Sequence, residues 1–459
     1  MNQRQDGLDI LARLERLPFS NWHRKLMVIG FIGILFDATD FATFGGALPS
    51  IAKEFGLNPQ QAGFLATIGL AGAFVGALFW GSISDYIGRR TAFQATVGIF
   101  ALFTGLMGVA WNVTFLSFSR FVANFGLGGE VPVTTTIVAE FMPRSERGRA
   151  TAIMGVGFPA GQITAAFIGL LIIPNFGWRV LFFVGIVPMA LLWFIRRSVP
   201  ESIRYLLAKG RVADAAQVVA QIEQKIEKEI GRPLPKTEAV QQIEVVEETR
   251  VTVFELLSPQ LRKRTILLWI VSIGQLWAGN GIIFMLPTIL TLRGISLSHA
   301  LSFILVQGTM GFLGFVVSGL VIDKFGRRPV FFVYYFFGAA FHFWFAMASG
   351  PSMYVSIALV GFTNPGVFGA MNLYATELYP TRLRATGAGW YFGVGRIGSF
   401  VVPAVVGSMM VAGLGQYVLY TFATSFLISG IACMAIGIET SNRFLDNIKS
   451  GNAAVIPGS

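Results

Sequence analysis

Apolar runs of about twenty residues, separated by short polar turns, recur from Met27 to Ile438. They fall at roughly 26–49, 61–83, 91–110, 115–142, 150–173, 178–195, 265–291, 298–322, 329–349, 352–378, 385–411 and 416–438. Each is long enough to cross a bilayer as a helix, so the pattern predicts an all-α membrane protein with 12 transmembrane helices. Between the sixth and seventh runs lies the one long polar stretch, about 198–264. In it Val212, Ala215, Ala216, Val219, Ile222, Ile226 and Ile230 repeat at helical spacing, and Gly231, Arg232 and Pro233 end the pattern. This predicts amphipathic helices lying along one membrane face.

The two halves repeat. Gly81, Asp85, Gly88, Arg89 and Arg90 recur as Gly319, Asp323, Gly326, Arg327 and Arg328, each 238 positions later. Glu140 and Pro143 recur as Glu377 and Pro380, and Arg149, Ala150 and Thr151 as Arg384, Ala385 and Thr386. Two pseudo-symmetric six-helix bundles follow, residues 26–195 and 265–438. They are flanked by an N-terminus at 1–25, a linker at 196–264 and a C-terminus at 439–459.

Composition sharpens this. The 459 residues are 54% hydrophobic and 13% charged, about half the charged share of a soluble domain. That excludes disordered, fibrous and ordinary cytosolic chains. The single Cys433 rules out a disulfide framework, and no metal-binding cluster is visible. The net charge of +11 has a topological rather than a nucleic-acid reading. Thirty of the 35 Lys and Arg lie before the first run, in the even-numbered turns, in the central stretch or after the last run. The opposite turns hold only Lys53, Arg179 and Arg293. The positive-inside rule therefore predicts cytoplasmic termini and an even helix count. The polar segment up to Lys25, with Pro18, is not expected to be a cleaved signal.

The paired Gly-x-x-x-Asp-x-x-Gly-Arg-Arg loops resemble the signature loops of the major facilitator superfamily. The segment Pro200-Glu201-Ser202-Ile203-Arg204-Tyr205-Leu206 resembles the one that follows helix 6 in sugar porters, with Ile203 in place of proline. Asp37, Ala38, Thr39 and Asp40 in the first run resemble the branch of bacterial niacin transporters, synaptic vesicle glycoproteins and organic ion transporters. So do Gly126 to Val133 in the fourth run and Gly395 to Gly398 in the eleventh. The aromatic-acid/proton symporters carry a related Asp-Gly-x-Asp.

The resemblance implies the superfamily fold, with the two bundles rocking about a central site. It also implies a charge network at the signature loops that latches the cytoplasmic side. Asp85, Arg89, Arg90, Glu140, Arg147, Asp323, Arg327, Arg328, Glu377 and Arg384 are its expected members, Glu140 and Glu377 pairing with the arginines that follow them. Plain positive-inside topology accounts for the arginines, but not for Asp85 or the glycines.

Five charges lie inside the apolar runs: Asp37, Asp40, Arg120, Glu130 and Arg396. A lone charge at mid-bilayer costs at least about 2.5 kcal/mol on insertion scales, so these face a cavity or one another. Either ion and substrate handling or helix-fixing ion pairs would explain them. By resemblance to proton-coupled sugar porters, Asp40 and Arg120 form a candidate coupling pair, with Asp37 and Glu130 as further proton sites. Arg396 is a candidate anion clamp, its planar fork matching a carboxylate, or else a salt-bridge partner of Asp37 or Asp40. Trp390, Tyr391, Asn364, Gln275, Asn280 and Tyr374 are candidate pocket residues for a flat ring. His342 reads as packing.

The expectation is a secondary transporter of the bacterial inner membrane, monomeric, moving a small aromatic monocarboxylate, best guess nicotinate, with protons. Its partners would be the organic anion, protons and the bilayer, with no nucleic acid. It would need no cofactor beyond a proton gradient. No Gly-x-x-x-x-Gly-Lys-Ser/Thr loop supports ATP use, and no nucleophile–base set supports an enzyme. Alternatives are a uniporter, a carrier of another aromatic acid or an organic cation, and a non-transporting binding protein.

Overall fold

The computed structural model describes residues 2–187, 198–234 and 253–440. All regular structure in it is helical. The first half holds α1 (Asn2–Glu15), α2 (Asn21–Phe55), α3 (Pro59–Ile87), α4 (Arg89–Met107) and α5 (Val113–Phe141), then the short α6 (Arg147–Gly155) and α7 (Gly157–Val184). Helices α8 (Ile203–Ala208), α9 (Val212–Ile230) and α10 (Val253–Leu256) follow. The second half holds α11 (Arg262–Leu292), α12 (Leu297–Phe325), α13 (Arg327–Phe332) and α14 (Gly338–Met347), these last two joined by a π-turn. It ends with α15 (Ser352–Glu377), α16 (Arg384–Val411) and α17 (Val418–Ile436).

Ten of the twelve predicted apolar runs correspond to helices within a few residues, and nine described helices are long and apolar enough to span a membrane. The fifth and sixth runs share α7, which is broken at Gly177 (φ 79°, ψ 170°), where a side chain would be strained. The sixth run starts at that break, and its residues 188–197 lie outside the described residues. So do 235–252 of the predicted linker and 441–459.

The described residues form two compact units. The first comprises 2–40, 68–161, 178–187 and 198–234, the second 41–67, 162–177 and 253–440. The far ends of α2, α3 and part of α7 thus pack with the second half. Glycines explain this. A Cβ on Gly45 would stand 2.3 Å from the Ile283 carbonyl oxygen, one on Gly63 2.2 Å from that of Pro403, and one on Gly407 2.4 Å from that of Pro59. Backbone meets backbone at all three points, at the ends of α2 and α3 opposite the signature loops.

Small residues also set the internal pairs. Gly72, Gly76 and Gly128 bring α3 and α5 into backbone contact, and Gly314 and Gly361 do the same for α12 and α15. The repeat is therefore physical: Gly76 abuts the Phe125 carbonyl as Gly314 abuts that of Phe362.

The polar stretch folds as predicted at α9, which Gly231 ends in the left-handed region (φ 67°). The sequence pattern predicts no element before Lys25, but α1 is a helix. Ile10, Leu14 and Leu17 join Val199, Ile203, Leu206, Val219, Ile222 and Ile226 in one apolar cluster. Arg13 and Arg16 both reach Glu223 of α9, at 2.5 and 2.6 Å. Burial pushes the Glu223 carboxyl up, but the hydrogen bonds and charges of Arg13 and Arg16 outweigh it and hold the group below its ordinary value. Such a group adds stability above the ordinary carboxylate range and loses it as pH falls through its lowered value. Glu223→Gln is expected to loosen α1 by about 1 kcal/mol, the pair being part-exposed and solvent-screened. Acidification below about pH 4 should do the same to the native chain. Hydrogen exchange of the α1 amides measures both, and equal protection in the variant would refute the tie.

Candidate functional site

The first unit gathers the buried charges of the first half. Arg120, on α5, is 1% exposed and donates from Nη1 to Asp40 Oδ2 on α2 at 2.6 Å. The Thr104 hydroxyl on α4 donates to the other oxygen of Asp40 at 3.3 Å. Gly69 makes room for the guanidinium, since a Cβ there would lie 2.8 Å from Arg120 Nε. A pair this dry has no solvent to replace either partner, so neutralising Asp40 leaves Arg120 with a strong drive to find another anion. Asp37 lies one helical turn below Asp40 on α2 and is 6% exposed. Glu130 on α5 is 2% exposed and abuts Gly33 of α2.

The second unit holds the predicted pocket residues. Gln275 of α11 accepts from Tyr335 at 2.9 Å and from the fully buried Tyr391 at 3.5 Å, which leaves its amide nitrogen without a partner among the described residues. Asn280 donates to Ser399 of α16 at 2.5 Å. Asn364 of α15 faces α11 at Gly279, where a Cβ would lie 3.3 Å from its oxygen, and its buried amide nitrogen also lacks a partner among the described residues. Unsatisfied amide donors in an apolar interior are costly, and a polar ligand would relieve them. Arg396 and Trp390 lie one and a half turns apart on α16. Arg396 is half-buried, and Trp390 is 41% exposed and packs against Trp269. Tyr374 is placed elsewhere: its hydroxyl donates to the Ile438 carbonyl at 2.6 Å, near the end of α15 that carries Glu377. His342 bonds the Gly338 carbonyl and stacks on Phe426, as its packing reading requires.

The signature-loop networks close within each unit. Arg89 pairs with Glu140 and lies 3.7 Å from Asp85. Arg327 grips Glu377 with two nitrogens, at 3.1 and 2.8 Å, and Asp323 at 3.0 Å. Each glutamate is thus paired with the arginine of the signature loop. After the 3₁₀ turn that follows each glutamate, Arg147 reaches Glu15 and the Met142 carbonyl, and Arg382 reaches Glu255. Arg384 is half-buried at the start of α16.

Sequence reasoning assigns no role to Glu201 and misses Glu439 and Thr440 entirely. Glu201 accepts from the Arg90 backbone N–H at 3.1 Å, and Ser202 donates to Glu140 at 2.5 Å. In the second half Glu439 accepts from the Arg327 and Arg328 N–H groups at 3.0 and 2.9 Å, and Thr440 donates to Glu377. Each acid caps a helix N-terminus. Gly88 (φ 95°) and Gly326 (φ 86°) are required both by their backbone and because each carboxylate occupies the space of a Cβ. The signal is present in the chain: Glu201-Ser202 recurs as Glu439-Thr440 at the same offset of 238.

Apolar helices in repeated halves, with charges buried among them, define a multi-pass membrane transporter. The chain belongs to the Major Facilitator Superfamily, which matches residues 30–403, and it is not an enzyme. It is 32% identical over 96% of its length to the whole niacin transporter NiaP of Acinetobacter baylyi. It is 29% identical to the 4-hydroxybenzoate transporter PcaK of the same organism, covering 95% of this chain and 94% of that one. To the gallate transporter of Pseudomonas putida it is likewise 29% identical, covering 90% and 91%. The fold matches the inward-open xylose transporter XylE of E. coli, with TM-score 0.72 and 16% identity, covering 93% of this chain and 99% of that one.

Proposed function

We propose that this chain imports a small aromatic monocarboxylate, nicotinate before benzoates, together with protons across a bacterial inner membrane. The observation that carries the coupling is the dry Asp40–Arg120 pair. Protonating Asp40 releases Arg120, the helices around it repack, and the proton affinity of Asp40 then differs between the two states, which is what coupling needs. The substrate class is supported by relatives named for niacin, gallate and 4-hydroxybenzoate. Arg396 holds the carboxylate, and the amides of Gln275, Asn280 and Asn364 give the ring polar anchors beside Trp390 and Tyr391. With the termini cytoplasmic, as the charge distribution argues, the backbone contacts at Gly45, Gly63 and Gly407 are the closed outer gate, and the Arg89–Glu140 and Arg327–Glu377 networks lie at the inner one.

The test is uptake of labelled nicotinate and benzoate into proteoliposomes with and without an inward pH gradient. Indifference to the gradient would leave a uniporter. Arg396→Ala removes a charge-assisted fork worth about 1.5–3 kcal/mol, so substrate affinity is expected to fall roughly ten- to a hundredfold. Unchanged affinity in a binding titration would remove Arg396 from the site, and preference for organic cations would overturn the substrate class.

A further inference from the structure

Glu130, like Asp37, is a buried acid of the first half to which the coupling pair gives no task. It sits on α5 against α2, and its surroundings are unlike those of Asp40. Its Oε2 has no hydrogen-bond partner among the described residues. The side chain fills a slot that exists because residue 33 is a glycine: a Cβ there would come within 2.5 Å of Glu130 Oε1 and 4.0 Å of the Phe93 ring. Trp80 of α3 covers the neighbouring Gly129, its indole nitrogen donating to the Phe125 carbonyl. Of the elements around it, α3 and α4 therefore present rings, and α2 presents Gly33, with Asp37 one turn further along the same helix. The Arg120–Asp40 ion pair lies further along the same two helices.

The order along α2 gives these acids a direction. At 1.5 Å per residue, Asp37 is about 4.5 Å below Asp40 and the Gly33 slot about 10 Å below it, toward the helix end that leads to α1. Three carboxyl levels therefore succeed one another along α2, separated by axial rises of about 6 Å and 4.5 Å. An isolated carboxylate in a dry slot is heavily penalised, whereas a carboxylic acid is not, so a group placed there suits holding a proton rather than a cation.

We propose that Asp37 and Glu130 form a proton-release relay that carries the coupled proton from Asp40 to the cytoplasmic side. This rests on the proton-coupled reading above. The O–H bond of protonated Asp40 breaks as Asp37 takes the proton on a carboxylate oxygen, and the Asp40 carboxylate re-pairs with Arg120. Glu130, resting as the acid, first gives its proton to water on the cytoplasmic side, and its short-lived carboxylate takes the replacement proton from Asp37. Each step makes one O–H bond, breaks one and leaves the charge sum unchanged. Glu130 is a proton carrier here and does not touch the substrate.

The experiment compares wild type, Glu130→Gln and Glu130→Asp as full-length protein in proteoliposomes, with labelled nicotinate and benzoate as probes. Two rates are read: accumulation driven by an inward pH gradient, and counterflow at equal pH. Glu130→Gln is expected to lose gradient-driven accumulation at least about tenfold while keeping counterflow within about twofold, and Glu130→Asp to recover part of the loss. Infrared difference spectra on acidification, which need no substrate, should show a protonated-carboxyl band in wild type that Glu130→Gln lacks. Accumulation by Glu130→Gln equal to wild type, or counterflow lost as fully as accumulation, overturns the relay, and so does an unchanged infrared band. A wild type indifferent to the gradient sinks the coupled reading and the relay together. A gradient-driven wild type matched by Glu130→Gln sinks the relay alone.

Discussion

Asp40→Asn is expected to abolish gradient-driven accumulation of an aromatic carboxylate. The amide keeps the shape of the carboxyl but cannot take the charge, and Arg120, 1% exposed, loses its 2.6 Å partner. A buried charge stripped of its counter-ion costs about 3–5 kcal/mol, most of it the desolvation of the orphan. The variant should therefore be less stable as well as uncoupled, and a double variant separates the two effects. Removing the guanidinium too, in Asp40→Asn/Arg120→Gln, is expected to restore much of the thermal stability without restoring accumulation. Thermal unfolding in detergent and proteoliposome uptake read these independently. If Asp40→Asn still accumulates substrate against a gradient, the pair is a structural ion bridge and coupling lies elsewhere.

Gly63→Val is expected to slow uptake by roughly five- to 150-fold, the range for about 1–3 kcal/mol of overpacking in a tight interface. A Cβ at that position would meet the Pro403 carbonyl oxygen at 2.2 Å, and a backbone oxygen has no rotamer by which to yield. Gly407→Val attacks the same seam from the other side, where Pro59 offers its own carbonyl at 2.4 Å. Both variants destabilise the state in which these ends are closed and leave the buried polar residues untouched. Substrate binding measured by thermal shift should survive while turnover falls. Gly81 and Gly319, where a Cβ would have nothing within 4 Å, supply the control: alanine there should change neither. Normal turnover in Gly63→Val would mean that these ends do not close during transport.

Much of this protein is legible along the chain, because a bilayer leaves a helix few options. Each apolar run has to satisfy its own backbone, so run length alone places the membrane helices. The repeat at 238 residues defines the two halves, and burial of charge in apolar runs marks Asp37, Asp40, Arg120, Glu130 and Arg396 without any structure. The Asp40–Arg120 contact that family resemblance implies is present at hydrogen-bond distance.

Partnership is not legible. Glu140 and Glu377 pair with Arg89 and Arg327, about fifty positions away along the chain, and nothing in the local pattern announces those contacts. Helix α1 is hidden because its apolar face is only Ile10, Leu14 and a few neighbours, too little to stand out without α9 to receive it. Tyr374 has the run position of a pocket residue, yet its hydroxyl goes to Ile438. The sequence by itself determined where the chain crosses the membrane, which charges must be sheltered and that the halves are alike, because those follow from local solvation and periodicity. Only the tertiary structure decided which acid meets which arginine, that Gly33 opens a slot for Glu130, and that Gly45, Gly63 and Gly407 press backbone on backbone. Those contacts join residues up to several hundred positions apart, and nothing in local composition fixes their geometry.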